Sequence, residues 1–161
     1  MNDALLALGS QAGQLLIDRR ENIAVAESSA AGLISAALLS VPGASAYFMG
    51  GSVVYTRASR TALLDIPESA LEGIRASTEE YALLLARSVR SRLGTDWGIG
   101  ETGATGPTGN RYGDAAGHAC LGVSGTSDAA RTLETGSKDR VANMYAFAEA
   151  ALRLFLEVAS V

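Results

Sequence analysis

Cysteine is almost absent: Cys120 stands alone among 161 residues, so the chain can form neither an internal disulfide nor a cysteine-built metal site. Lysine is as scarce. Of 13 basic residues only Lys138 is a lysine and the others are arginines, so chemistry that needs a neutral amine has one candidate. Histidine also occurs once, as His118. Positive charge is not in excess either, since the formal net charge is −4, and this leaves no basic field to attract nucleic acid. No apolar run approaches the ~18 residues that suggest a membrane span. The first residues show no basic stretch followed by an apolar one, which reads against a secretory signal. The expectation is a cytoplasmic protein whose partners include neither membrane nor nucleic acid, and no metal or cofactor is implied.

The residues present describe a globular chain, 48% hydrophobic and 19% charged. Its length fits one domain over 1–161, able to bury roughly two thirds of its unfolded surface. Leu5, Leu6, Leu8, Ala12, Leu15 and Leu16 recur near helical spacing and predict a first helix to about Arg19, capped by Asn2 or Asp3. A buried strand over Ile23–Ala26 is followed by a helix from about Ala30 to Leu39, which Pro42-Gly43 stops. Ser52–Thr56 reads as a second strand, and Arg57–Leu64 as a short helix ended before Pro67. Ser77-x-x-Glu80 has the form of a capping box and opens a long helix to Gly94. Strands follow over 96–101 and 118–123, the second able to pair with 129–135 as a hairpin. Ser137 or Asp139 caps a last helix whose apolar face is Val141, Met144, Tyr145, Ala148, Leu152, Phe155 and Leu156. Alternating helices and strands with a late hairpin predict an α/β fold: a layered α/β/α domain with a mixed, largely parallel sheet.

Three segments carry candidate chemistry. Glu27-Ser28-Ser29 joins the first strand to small residues, Ala30, Ala31 and Gly32, that admit a helix with little bulk around its start. A serine there either caps the helix or acts as a nucleophile, with helix N–H groups receiving an oxyanion or phosphate. Thr102–Gly109 follows a strand, and its spaced glycines let backbone N–H groups approach an anion. Gly103, Gly106 and Gly109 fall at every third position, unlike the dinucleotide fingerprint, and no Lys-Ser/Thr ends the run as in a P-loop, so a plain loop is an equal reading. In Tyr55-Thr-Arg-Ala-Ser-Arg60, Arg57 and Arg60 are placed to clamp a phosphate or simply to start an exposed helix. Glu101 ends an otherwise small and apolar strand, where it is either exposed or a pocket group with a raised pKa. His118 lies in an apolar strand, where a buried histidine with its hydrogen bonds satisfied is the default.

Four motifs in order, Ala26-Glu-Ser-Ser-Ala-Ala-Gly32-Leu-Ile, Pro42-Gly-Ala-Ser-Ala-Tyr-Phe48, Tyr55-Thr-Arg-Ala-Ser-Arg60 and Thr102-Gly-Ala-Thr-Gly-Pro107, resemble those of the CinA C-terminal domain family. The family's patterns are A-E-S-C-T-G-G, P-G-[AS]-S-x-[AY]-F, Y-[ST]-N-x-x-K and T-G-I-A-G-P. Its characterised activity is deamidation of nicotinamide mononucleotide. The resemblance implies a serine nucleophile at Ser28, with Glu27, Tyr55 and Arg60 as the other catalytic positions. It implies substrate contacts from Ser29, Ala30, Gly32, Arg57, Glu101, Thr102, Gly103, Gly106, His118 and Arg140. Arg60 stands where the family has lysine, and guanidinium can stabilise negative charge but cannot take a serine proton. Ser29-Ala30-Ala31 replace Cys-Thr-Gly, Arg57 replaces asparagine, and Met144 replaces an arginine one turn into the last helix.

Two functions follow from this resemblance. One is amide hydrolysis of nicotinamide mononucleotide or a related nucleotide amide, with Glu27, Glu101, His118 or Lys138 as the substitute base. The other is a catalytically impaired relative that binds a phosphorylated small molecule or a protein partner. A hydrolase for another substrate, using Glu101, is also compatible with the sequence. A homodimer fits a compact α/β domain of this size.

Overall fold

The computed structural model describes residues 1–161. Helix α1 (Asp3–Arg19) starts at Asn2, whose side chain accepts the Leu5 N–H, and it buries Leu5, Leu8, Ala12 and Leu16. Strand β1 (Ile23–Glu27) is buried along its whole length. Helix α2 (Leu33–Leu39), strand β2 (Phe48–Val53) and helix α3 (Arg57–Leu64) follow. Helix α4 (Glu79–Leu93), strands β3 (Trp97–Ala104), β4 (His118–Ser124) and β5 (Ala129–Glu134), and helix α5 (Arg140–Ala159) complete the chain.

The five strands form one sheet in the order β2-β1-β3-β4-β5. β1 pairs in parallel with β2 and β3, whereas β3–β4 and β4–β5 are antiparallel. Only β4 therefore runs against the rest, which is the mixed, largely parallel sheet expected. Side chains alternate across β1: Ile23 and Val25 join a large core with α1, α2 and α5, while Ala24 and Ala26 face a smaller core with Leu85 and Val89 of α4. The α4 face is small-residued because the helix backbone lies almost on the sheet. A Cβ placed on Gly100 would stand 2.7 Å from the Ala86 backbone nitrogen. The result is an α/β/α sandwich in which the carboxyl ends of β1, β2 and β3 and the start of β4 share one edge.

Several boundaries differ from the sequence expectation, each for a local reason. The helix expected from Ala30 starts only at Leu33, because Ala31 (φ 57°) and Gly32 (φ 96°) adopt left-handed conformations that break a helix. The second strand is Phe48–Val53 rather than 52–56. Thr56 and Ser59 form a reciprocal capping box for α3 that draws the chain away from the sheet. Glycines 50 and 51 hid the true strand, which parallel pairing from Ile23↔Phe48 to Glu27↔Val53 holds. Helix α4 is capped by Thr78, not Ser77: Thr78 is extended, while Ser77 sits at φ 60° and donates its N–H to Thr102 Oγ1 at 3.2 Å. β3 continues through Thr102 and Gly103 to Ala104, and Asp139 caps α5. Val141, placed on the apolar face by spacing, is 60% exposed in the first turn of α5.

Candidate active-site cleft

Ser28 leaves the end of β1 and is half-buried at the lip of a cleft of about 870 Å³. Both carboxylates nearby are spent on building the turn that carries it. Glu27 is wholly buried and points at the start of α2, accepting the N–H groups of Ile34 (3.1 Å) and Ser35 (2.9 Å) and the Ser35 hydroxyl (2.7 Å). The helix end expected to receive an oxyanion is thus already satisfied by the protein's own side chain. Glu101, also wholly buried, reaches across from β3 and accepts the N–H groups of Ser28 and Ala30, both at 2.9 Å, and the Ser29 hydroxyl. Burial pushes its carboxyl up to about 7, against the pull of those hydrogen bonds, and the neighbouring Glu27 charge adds to the rise. Neither carboxylate has Ser28 Oγ as a hydrogen-bond partner.

The remaining proposed bases are placed no better. His118 opens β4 with Nδ1 against the Glu134 carboxylate and Nε2 3.0 Å from the Ser77 carbonyl oxygen. Two acceptors call for a proton on both ring nitrogens, the imidazolium form. Burial lowers its pKa, but hydrogen bonds to Glu134 and Ser77 outweigh that and leave it raised. Lys138 is exposed just before α5 and does not line the cleft.

What the cleft does gather is arginine. Arg57, Arg60, Arg75 and Arg111 line it, opposed by Glu68 and Glu72. Arg60 is the deepest, only 6% exposed: Nη2 donates to Glu68 at 3.2 Å, Nη1 to the Tyr81 hydroxyl at 3.4 Å, and buried Nε has no partner. Arg57 and Arg111 form no ion pair, whereas Arg75 binds Asp114 through two bonds of 2.7 and 3.0 Å. The Arg75 guanidinium accordingly holds the Asp114 carboxyl below the usual carboxylate range. Arg75 and Arg111 each stack 5.1 Å from the Tyr112 ring centre.

Of the expected site residues, Ser28, Tyr55, Arg57, Arg60, Thr102 and Gly103 line the cleft. Glu27, Ser29, Ala30, Gly32, Glu101, Gly106, His118 and Arg140 lie outside its lining. Arg140 donates to the Gly106 carbonyl at 2.7 Å, so these two tie the loop after β3 to the start of α5. Sequence reasoning missed Arg75, Asn110, Arg111 and Tyr112. Asn110-Arg-Tyr-Gly-Asp114 did carry a signal: asparagine and aspartate bracket a turn in which Asn110 Oδ1 accepts the N–H groups of Tyr112 (3.0 Å) and Asp114 (3.1 Å).

Known proteins resemble this chain in sequence and in fold. A "CinA-like protein" of Chlorobium limicola is 37% identical over 146 residues, covering 88% of this chain and 34% of that protein. Another, from Chlorobium phaeobacteroides, is 36% identical over 155 residues, covering 92% of this chain and 37% of that protein. The chain thus spans about a third of the length of these curated relatives. A crystal structure of a competence-damaged protein (CinA) superfamily protein from Escherichia coli matches with TM-score 0.89 at 23% identity. That match covers 98% of this chain and 93% of the other, and shows a shared fold. The family model of the CinA C-terminal domain matches residues 6–159, and the chain belongs to that family.

Proposed function

We propose that this CinA-family chain binds a phosphorylated nucleotide in the Ser28 cleft, with Arg57 and Arg60 on its phosphate and Ser28 beside its reacting or recognised group. The observation that carries the reading is Arg60: a buried guanidinium with an unpartnered Nε, beside Arg57, which has no carboxylate partner. A phosphate supplies the negative charge that Arg57 lacks and further acceptors beside Arg60, whose one carboxylate partner, Glu68, is exposed.

Deamidation of nicotinamide mononucleotide is the second reading. Its specific support is that Ser28 alone among the residues of its turn lines the cleft. Attack by Ser28 on a carboxamide requires an acceptor for the hydroxyl proton. Glu27, Glu101 and His118 are each committed to other partners. Binding without turnover is therefore the reading favoured.

Calorimetric titration with nicotinamide mononucleotide and with inorganic phosphate tests the first reading, and ammonia release tests the second. Saturable binding that Arg57→Ala weakens at least ~10-fold, the loss of one charge-assisted contact or more, is expected. Ammonia release is expected to equal background in both the wild type and Ser28→Ala. Absence of binding by either probe overturns the binding reading. Release by the wild type that Ser28→Ala abolishes establishes the hydrolase instead.

A further inference from the structure

Two of the arginines lining the cleft are paired with carboxylates, and the pairs are built differently. Arg75 holds Asp114 through two bonds of 2.7 and 3.0 Å; the Asp114 side chain is 14% exposed and accepts from Asn110 Nδ2 at 2.8 Å. That pair is part of the frame. Arg60 reaches Glu68 through one bond of 3.2 Å, and the Glu68 side chain is 75% exposed with no other hydrogen bond. Glu68 opens a single 3-10 turn, Glu68–Leu71, in the stretch between α3 and α4. Behind it Ala70, Leu71 and Ile74 pack on the smaller core and are only partly buried. An ion pair with one exposed partner on so short an element is weak.

The Arg60 guanidinium, by contrast, is fixed. It is buried, and Nη1 donates to the hydroxyl of Tyr81, a buried residue of α4. A buried guanidinium needs an anion, because a charge left unpaired in low dielectric is strongly destabilising. Glu68 is the one carboxylate that meets it. Nε and Nη2 lie along one edge of the guanidinium, and Glu68 engages Nη2 while buried Nε has no partner. A phosphate has oxygens for both groups and carries up to two charges, so it fits that edge better than the carboxylate does. Resting on the nucleotide-binding reading above, we propose that Glu68 is a displaceable counter-ion: it neutralises Arg60 until the ligand's phosphate takes its place. Glu68 thereby determines which ligands enter. A neutral group gains nothing at Arg60, since it would leave the guanidinium without its carboxylate. A phosphate monoester, with its second charge, exceeds the carboxylate that it displaces. Glu72 lines the same cleft but forms no ion pair, so it adds only to the general field.

Calorimetric titration of the intact chain with inorganic phosphate and with nicotinamide mononucleotide separates the two glutamates, using the wild type, Glu68→Gln and Glu72→Gln. Glutamine keeps the shape of each side chain and withdraws its charge. Both positions are exposed, so the fold is retained, which circular dichroism checks. Glu68→Gln is expected to bind both probes about three- to fivefold more tightly, the worth of one ion pair with an exposed partner. Glu72→Gln is expected to change either affinity by less than about twofold, because solvent and salt screen an unpaired surface charge. Unchanged or weaker binding by Glu68→Gln overturns this inference and, with the wild type still binding, leaves the nucleotide-binding reading standing. An equal gain in both variants overturns it as well, since the effect then comes from net charge alone. No binding of either probe by the wild type or the variants removes both readings together.

Discussion

Glu101 shows how a single residue in this chain serves two ends. Its carboxylate is the acceptor that orders Ser28, Ser29 and Ala30, yet it does so without solvent. Its carboxyl titrates near 7 in the folded protein against 4.5 ordinarily, so the folded chain keeps the proton that the unfolded chain has released. The stability this confers is complete below about pH 4.5 and lost as pH rises through about 7, on the order of 3 kcal/mol in all. His118, also raised, contributes with the same sign near neutrality. Glu101→Gln keeps an acceptor for the turn but removes the titration. Urea unfolding at pH 5 and pH 8 should show a marked loss for the wild type and a smaller one for Glu101→Gln, the difference isolating Glu101. An identical pH dependence in the two proteins would exclude a titrating Glu101.

At the scale of elements, the β1–α2 turn is where sequence and backbone conflict. Ala31 replaces a glycine of the family pattern, and it stands exposed at φ 57°, a conformation that costs an L-residue about 1–2 kcal/mol. Glycine adopts it freely but loses more chain entropy, by roughly 0.5–1 kcal/mol. Ala31→Gly is therefore expected to stabilise the fold by about 0.5–1 kcal/mol, read as a higher urea midpoint at unchanged slope. A lower midpoint would mean that the turn relaxes its backbone in solution. The same turn explains why the helix boundary was misread: Ala30 and Ala31 favour helix by composition, but Glu101 and Glu27 bind the chain in a different shape. Helix α1 had no such competitor, and Asn2 with the leucine spacing placed it within a residue of its true limits.

The whole molecule carries net charge −4 while its cleft collects four arginines against two glutamates. Binding there rests on concentrated local charge rather than a global field. Mononucleotide affinity should fall as salt rises from about 0.01 M to 1 M, where the screening length drops from ~30 Å to ~3 Å. Calorimetry at the two ionic strengths measures this, and salt-independent binding would count against a phosphate held by Arg57 and Arg60.

By itself the sequence determined the layers, because these patterns are local: the apolar run of β1, the leucine spacing of α1 and the hairpin of β4 and β5 are each written within a few residues. It also placed Ser28 at a strand-to-helix junction and Arg57 and Arg60 at the head of α3. Only the tertiary structure decided what surrounds them. Glu101 is 73 residues from Ser28, and Asp114 is 39 from Arg75, so both contacts depend on strand order and register. That order put a carboxylate beneath the serine turn instead of beside its hydroxyl. It also brought Arg75, Arg111 and Tyr112, from segments that read as plain loop, to the same cleft as Arg60.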